Sequence, residues 1–268
     1  MAYVKPEDVV EKMLQDGTKK AGLGAKDMLI RGALSGAFLG YATTLAVAAS
    51  TQTGIDIVGA LIFPVGFVML NLLGFELATG NFALLPIAVK DGRASFGQLA
   101  FNWACVLIGN LIGSLFYASL YYIVMTKMGH IDPTSLETAK KIIAIAEKKT
   151  IAYAAYGFDG TITAFTSAIL CNWMVTLGTV MAFTSTATVG KIAAMWLPIM
   201  MFFALGYEHA IVNMFVIPAG IMLGANVTIA EWWIWNEIPV LMGNIVGGMI
   251  LTGFALYFTA RKKPIESV

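Results

Sequence analysis

The sequence predicts an all-α integral membrane protein whose six transmembrane helices form an inverted 3+3 repeat, with helices two and five broken. Three observations predict it. Charged residues make up 12% of the 268-residue chain and hydrophobic ones 58%, where an ordinary globular chain is about a quarter charged. Six apolar stretches are each long enough to cross the roughly 30 Å of bilayer hydrocarbon. A set of Gly, Glu, Asn and Pro residues also recurs at a near-fixed offset between the two halves of the chain.

The mean hydropathy of +0.77 fits the membrane class. A net charge of +1 gives no bulk attraction to nucleic acid. Cys105 and Cys171 both sit in apolar runs and read as small buried hydrophobes, not as a disulfide framework or a thiolate metal site.

Residues 1–27 are rich in Lys, Asp and Glu and lack the early apolar core of a signal peptide. Pro6 can open a helix there, with Val10, Met13 and Leu14 on one face. A cytoplasmic amphipathic helix lying on the membrane surface is expected. The six spans follow at 28–50, 56–89, 98–126, 160–185, 192–222 and 237–260, within one transmembrane domain over 28–262. Residues 263–268 are expected to form a cytoplasmic tail. The longest polar segment, 128–158, joins spans three and four.

Six spans place both termini on the same side of the bilayer, and Lys and Arg decide which. All but five of the 17 basic residues fall on the side of the termini; the exceptions are Lys127, Lys140, Lys141, Lys148 and Lys149. Both termini are therefore expected in the cytoplasm, with the chain in the cell inner (plasma) membrane. Trp232, Trp233 and Trp235 are expected to form an interfacial belt.

The repeat is carried by scarce residues. Gly74-Phe75-Glu76-Leu77-Ala78 is echoed by Gly206-Tyr207-Glu208-His209-Ala210, an offset of 132, at which Asn81 meets Asn213 and Pro86 meets Pro218. Gly109-Asn110 is echoed by Gly243-Asn244, and Pro64 by Pro198, at 134. Each half holds three spans. Because three is odd, the second half crosses in the opposite sense, which is the inverted-topology arrangement of transporters and channels. Spans two and five are interrupted at Gly74 and Gly206. Non-helical backbone is tolerated at membrane depth only where it lines a cavity or is buried in protein. The freed N–H groups of the resuming half-helices favour an anion.

The ionisable residues deep in the spans are Glu76, Glu208 and His209. Each costs on the order of 2.5–3.5 kcal/mol to place at the bilayer centre, so a role is expected of each. Glu76 and Glu208 occupy matched positions and, with Asn81 and Asn213, read as structural groups at the helix breaks. His209 replaces the Leu77 of the other half, an asymmetry at a symmetric centre. Histidine titrates nearest neutrality and can exchange a proton with a weak acid. Asn172 and Asn244, on spans four and six, are expected to orient it. No metal set and no cofactor are expected: the second histidine, His130, is in a loop, and no Gly-rich phosphate loop precedes a Lys.

These motifs, with Asn102-Trp103 and Cys171-Asn172-Trp173-Met174-Val175, resemble the formate/nitrite transporter family over roughly residues 20–262. The resemblance implies an aquaporin-like protomer in a homopentamer, each protomer with its own pore for small monovalent anions. Formate is the first expectation, with nitrite, hydrosulfide, acetate or lactate as alternatives. The family's central histidine matches His209 and its loop threonine Thr79; its apolar constrictions match Leu77, Ala78 and Phe202. Two positions depart from the family. Ala78 stands where a bulky aromatic is common, which predicts a wider constriction. The vestibule lysine expected before span four falls on Tyr156 without a gap, and on Lys148 or Lys149 with one.

The implied mechanism has an anion enter a vestibule and meet an apolar constriction. There it either gains a proton, from His209 or through a water chain, and crosses as the neutral acid, or crosses as an anion held by Thr79 and His209. A water or glycerol channel would carry paired Asn-Pro-Ala turns and a pore Arg, and neither is present. A membrane enzyme would need a ligand set or a nucleophile–base pair, and none is visible.

Overall fold

The computed structural model describes residues 3–261, so the expected 263–268 tail lies outside the described residues. Ten helices in chain order carry the fold: α1 Pro6–Ala21, α2 Ala25–Thr53, α3 Asp56–Leu72, α4 Ala78–Lys90, α5 Phe96–Thr126, α6 Glu137–Lys149, α7 Phe158–Met181, α8 Thr188–Ala204, α9 Ala210–Leu223 and α10 Ile229–Ala260. Shorter helical turns fill Pro133–Ser135 and Ile151–Ala154. Among the described residues the one β-type pairing is an isolated bridge between Tyr3 and Ser185.

Four of these helical runs are long and apolar enough to cross a membrane: Ala25–Thr53, Phe96–Thr126, Phe158–Thr184 and Ile229–Ala260. The stretches read from sequence as 56–89 and 192–222 are each two shorter helices, Asp56–Leu72 with Ala78–Lys90 and Thr188–Ala204 with Ala210–Leu223. The stops have a common cause. Gly74 and Gly206 both sit in the left-handed region, each at φ +69°. The Phe75 N–H returns to the Leu70 carbonyl and the Gly74 N–H to Asn71. This is a Schellman-type ending, which needs a residue tolerant of positive φ just past the last turn.

The long helices approach closely because glycine faces backbone. A methyl on Gly109 would lie 2.7 Å from the Leu29 carbonyl, and one on Gly113 would overlap the Ala33 carbonyl. Across the second half, Gly243 and Gly247 meet the Phe165 and Ile169 carbonyls in the same way. Small residues at helix contacts permit this approach where lipid supplies no hydrophobic drive. α10 is wound as a π-helix over Trp233–Glu237 and Gly247–Phe254.

The N-terminal helix does not meet lipid with its apolar face. Val10, Met13 and Leu14 are buried against Leu84, Ile87, Val180 and Tyr257, and Gly17 lets α1 sit on the Leu84 carbonyl of α4. Burying those side chains in protein removes the apolar area that would otherwise bind a membrane surface. Arg93 forms a two-pronged ion pair with Glu11 at 2.8 and 2.9 Å. That hydrogen bonding holds the Glu11 carboxyl below the ordinary glutamate range. The polar 128–158 segment contains a counterpart. α6 buries Ala139, Ile142 and Ala146, and Ala146 abuts Gly220 of α9. α6 thus packs along α9 as α1 packs along α4.

The α2–α5 contact makes a direct prediction. Gly113→Ala should lower stability by about 1–3 kcal/mol through overpacking. Gly97→Ala, where the nearest atom is Ser95 Oγ at 3.9 Å, should leave it unchanged or slightly raised. Melting temperatures of the two purified variants in detergent decide the point, and equal values would refute the packing argument.

Candidate functional site: the Thr79–His209 centre and its flanking clusters

The residues following each stop have nearly identical backbone. Leu77 precedes α4 at φ −119°, ψ 116°, and His209 precedes α9 at φ −117°, ψ 115°. Both are N-cap positions, and their side chains separate them. Leucine offers the helix start nothing, whereas His209 Nδ1 accepts the Val212 N–H at 3.1 Å. The imidazole is therefore the side-chain cap of α9.

That cap fixes the ring's chemistry. A nitrogen accepting a backbone N–H carries no proton, so the neutral tautomer that fits has its proton on Nε2. Nε2 lies 2.9 Å from Thr79 Oγ1. With the ring donating, the Thr79 hydroxyl accepts and keeps its own hydrogen to donate elsewhere. Phe202 stacks on the other side of the ring, centroids 5.7 Å apart and planes at 25°. Phe63 stands edge-on to Phe202 at 5.7 Å and stacks on Phe203 at 3.9 Å.

Two asparagines close the backbone at the stops. Asn110 Oδ1 accepts the Ala78 N–H at 3.1 Å, while its Nδ2 donates to the Glu76 and Gly32 carbonyls at 3.0 and 2.9 Å. Asn244 repeats this on Ala210, Glu208 and Ala168 at 2.9, 3.0 and 2.9 Å. Each amide thus serves one N–H and one carbonyl freed at a stop and anchors itself to a carbonyl inside the adjoining helix.

Behind each stop lies a buried ion pair. Lys20 meets Glu76 at 2.8 Å, and Lys149 meets Glu208 at 2.8 Å, with the glutamates 4% and 3% exposed. Asn81 Nδ2 donates to Glu76 and to Asn102; Asn213 Nδ2 donates to Glu208 and to Asn236. Asn102 and Asn236 in turn donate to the carbonyls of Lys20 and Lys149. Glu208 also accepts the Tyr153 hydroxyl at 3.0 Å and Asn236 Nδ2 at 3.1 Å.

A cavity of about 490 Å³ opens onto this centre from the side of the 128–158 segment. Of the residues expected along a pathway, Phe202 and His209 line its wall, with Glu208 beside them. Thr79 is one hydrogen bond beyond. Leu77 and Ala78 are buried next to it and do not line the cavity, and neither do Asn172 and Asn244. Neither asparagine hydrogen-bonds to the imidazole. Asn172 Nδ2 donates to the Thr79 and Asn244 carbonyls at 3.1 and 2.6 Å, so it holds the threonine and leaves the ring to Val212 and Thr79.

Sequence reading missed Asn236, Lys20 and Tyr153, and named Lys149 only as a candidate vestibule lysine, not as the partner of Glu208. Asn236 was findable, since it follows Asn102 at the same 134 offset. Lys20 and Lys149 lie outside the apolar spans, in segments read as surface helix and loop, and Tyr153 shares that loop. A further buried carboxyl, Glu237, accepts the Trp232 indole N–H at 3.0 Å. Trp232 is accordingly 5% exposed and no part of an interfacial belt, while Trp233 remains on the surface. Among the described residues no cluster of metal-ligating side chains is present.

A membrane protein of transporter type is the class that these long apolar helices and this buried centre define. Residues 7–258 match the sequence model of the family described as Formate/nitrite transporter. The chain belongs to the formate/nitrite transporter family. It is 36% identical over 272 residues to the "Uncharacterized transporter YrhG" of Bacillus subtilis (strain 168), covering 98% of this chain and 96% of that one. It is 33% identical to the "Formate channel BtFdhC" of Bacillus thuringiensis, covering 98% of each. Among solved structures it is similar to an "FNT family ion channel" at TM-score 0.79 and 25% identity, covering 96% of this chain and 99% of that one. It is also similar to a "Pentameric formate channel with formate bound" at TM-score 0.71 and 25% identity, covering 87% and 96%.

The ion pairs yield a stability prediction. Lys149→Gln leaves the Glu208 carboxylate buried without its counter-charge and should cost about 3–5 kcal/mol. Lys149→Gln combined with Glu208→Gln should cost less than the single change. Unfolding midpoints of the single and double variants test this; a double variant no more stable than the single would exclude the ion pair as the cause.

Proposed function

We propose that this protein is a channel for small weak-acid monoanions, formate first, and that the Thr79 hydroxyl is the group that meets the anion. The reading rests on one observation. A threonine oxygen lies 2.9 Å from an imidazole whose other nitrogen is already occupied by a backbone N–H. The relatives named as formate channels support the substrate class.

In this reading six crossings form the inverted 3+3 repeat, with α3/α4 and α8/α9 as its broken helices two and five. Both termini are cytoplasmic, and the 490 Å³ cavity is the outer vestibule. Five copies assemble, as in the pentameric neighbour, each with its own pathway. A bare charge is costly at the apolar constriction formed by Phe202 on one side and Leu77 and Ala78 on the other. The anion accepts the Thr79 hydroxyl's hydrogen bond, takes a proton arriving through vestibule water, and passes as the neutral acid. His209 keeps its proton on Nε2 and orients the hydroxyl. A second proton, on Nδ1, would face the Val212 N–H and dismantle the α9 cap.

The alternative, in which the ring itself delivers the proton, makes a different forecast for the same variant. His209→Asn should lower formate uptake into proteoliposomes by about tenfold or more between about pH 5 and pH 8, with the shape of the pH profile kept. A displaced midpoint would assign proton delivery to the ring. Unchanged uptake at all pH values would sink the role of the centre.

A further inference from the structure

Glu237 is a buried ionisable group for which the centre and its flanking clusters leave no task. It lies on α10 and is fully buried. Its Oε2 accepts the Trp232 indole N–H at 3.0 Å. Its Oε1 is buried with no hydrogen-bond partner. Among the described residues no Lys, Arg or His forms an ion pair with it. Glu76 and Glu208, by contrast, each have a lysine at 2.8 Å. The repeat does not call for a carboxyl here either. At the 134 offset that pairs Asn102 with Asn236, Glu237 stands opposite Trp103.

The surroundings supply no counter-charge. Glu237 ends the π-wound stretch Trp233–Glu237. Against that stretch pack the Ile151–Ala154 turn, α7 and α9. The ionisable side chains of these elements are Tyr153, Asp159 and Cys171, and α9 has none. Tyr153 gives its hydroxyl to Glu208, Asp159 is exposed and Cys171 is buried. Glu231, on the same helix, is committed to the Thr228 cap. The adjoining cluster contributes Lys149 and Glu208, bound to each other, and Glu208 acts on Glu237 as a like charge. A carboxylate offers about four acceptor sites. With one donor, no cation and a second carboxylate nearby, its buried charge would go uncompensated. A proton on Oε1 removes that charge and leaves Oε2 to accept from Trp232.

We propose that Glu237 is a proton-binding site, occupied in the folded protein, and that loss of its proton releases the buried cluster at the floor of the cavity. The link is Asn236, its neighbour in the chain. Asn236 Nδ2 donates to Glu208 and to the Lys149 carbonyl, and its Oδ1 accepts from Asn213. An ionised Glu237 sets two carboxylates beside one lysine, and the turn that carries Asn236 is driven away from Glu208. Glu208 and Lys149 line the cavity, so its floor loosens with them. The assignment stands apart from the anion-channel reading. In the unfolded chain Glu237 is an ordinary glutamate, ionised at neutral pH. Folding therefore takes up a proton, and stability falls as pH rises until the buried acid ionises.

Three measurements on the purified protein in detergent test this. The infrared spectrum at pH 7 should contain the carbonyl stretch of an un-ionised carboxylic acid, absent from Glu237→Gln. Above pH 7 the wild-type melting temperature should fall by about 3 °C or more per pH unit, the effect of a tenfold change in the folding constant per unit. It should level off at the pH where the band fades; these two readouts need no variant. Glu237→Gln, a neutral isostere, should lose less than half as much. Past the fading of the band, amide hydrogen exchange over residues 145–153 and 229–240 should run about tenfold faster in wild type than in Glu237→Gln at the same pH. The proposal is overturned if the wild type has no such band, if both proteins lose stability in parallel, or if the two exchange alike once the band has gone.

Discussion

Backbone that leaves a helix inside an apolar interior must find partners for its N–H and C=O groups, and two asparagines meet that requirement here. Leaving a buried amide unpaired costs on the order of 1–3 kcal/mol by mutational measures. Each stop frees several at once. Asn110 and Asn244 each serve one N–H and one carbonyl of a stop, and each also donates to a carbonyl inside a neighbouring helix, Gly32 or Ala168. Such a side chain reaches three backbone groups only if the neighbouring helices lie very close. The glycines beside these asparagines, Gly109 and Gly113 in one half and Gly243 and Gly247 in the other, allow that approach. The close packing of α2 on α5 and of α7 on α10 follows from what the stops demand.

A frame repeated this closely makes its departure at the cap informative. The backbone at Leu77 and at His209 agrees within a few degrees, and the surrounding amides and ion pairs correspond, with Glu208 adding the Tyr153 hydroxyl and Asn236 to its partners. What differs is the side chain at the cap. On one side it is apolar; on the other it caps its own helix through Nδ1 and reaches Thr79 through Nε2. Thr79 stands opposite Ile211 in the repeat, so the polar contact has no second copy. The frame thus supplies two equivalent positions, and the sequence makes a single donor centre from them.

The parts legible in the sequence were those whose residue types are scarce in apolar runs. Glu76, Glu208, Asn81, Asn213 and the glycines stood out at a near-constant spacing because chance seldom places such residues in apolar helices. The helical stops were legible too, since Gly followed by an aromatic and a Glu interrupts an otherwise unbroken run. The pairing of Lys20 and Lys149 with the buried glutamates was not legible. The two lysines belong to polar segments where lysine is ordinary, and only the folding of α1 onto α4 and of α6 onto α9 brings them to buried carboxylates. The role of Asn172 was misread for a related reason. A spacing on span four says that an amide is inside, and does not say whether it holds a ring or a carbonyl. Trp232 was misread because the π-wound turn of α10 rotates it inward to Glu237, and residue spacing alone carries no sign of such a turn.

The placement of charge fits a protein that must release what it admits. An isolated cation beside the constriction would bind an anion strongly in a medium of low dielectric and hold it there. Conduction requires binding favourable enough to enter and weak enough to leave. In this structure the deep lysines are each neutralised by a glutamate at 2.8 Å, so the buried surroundings of the centre carry pairs and no net charge. The donors left at the centre itself are neutral: a hydroxyl, an imidazole N–H and the starts of two helices.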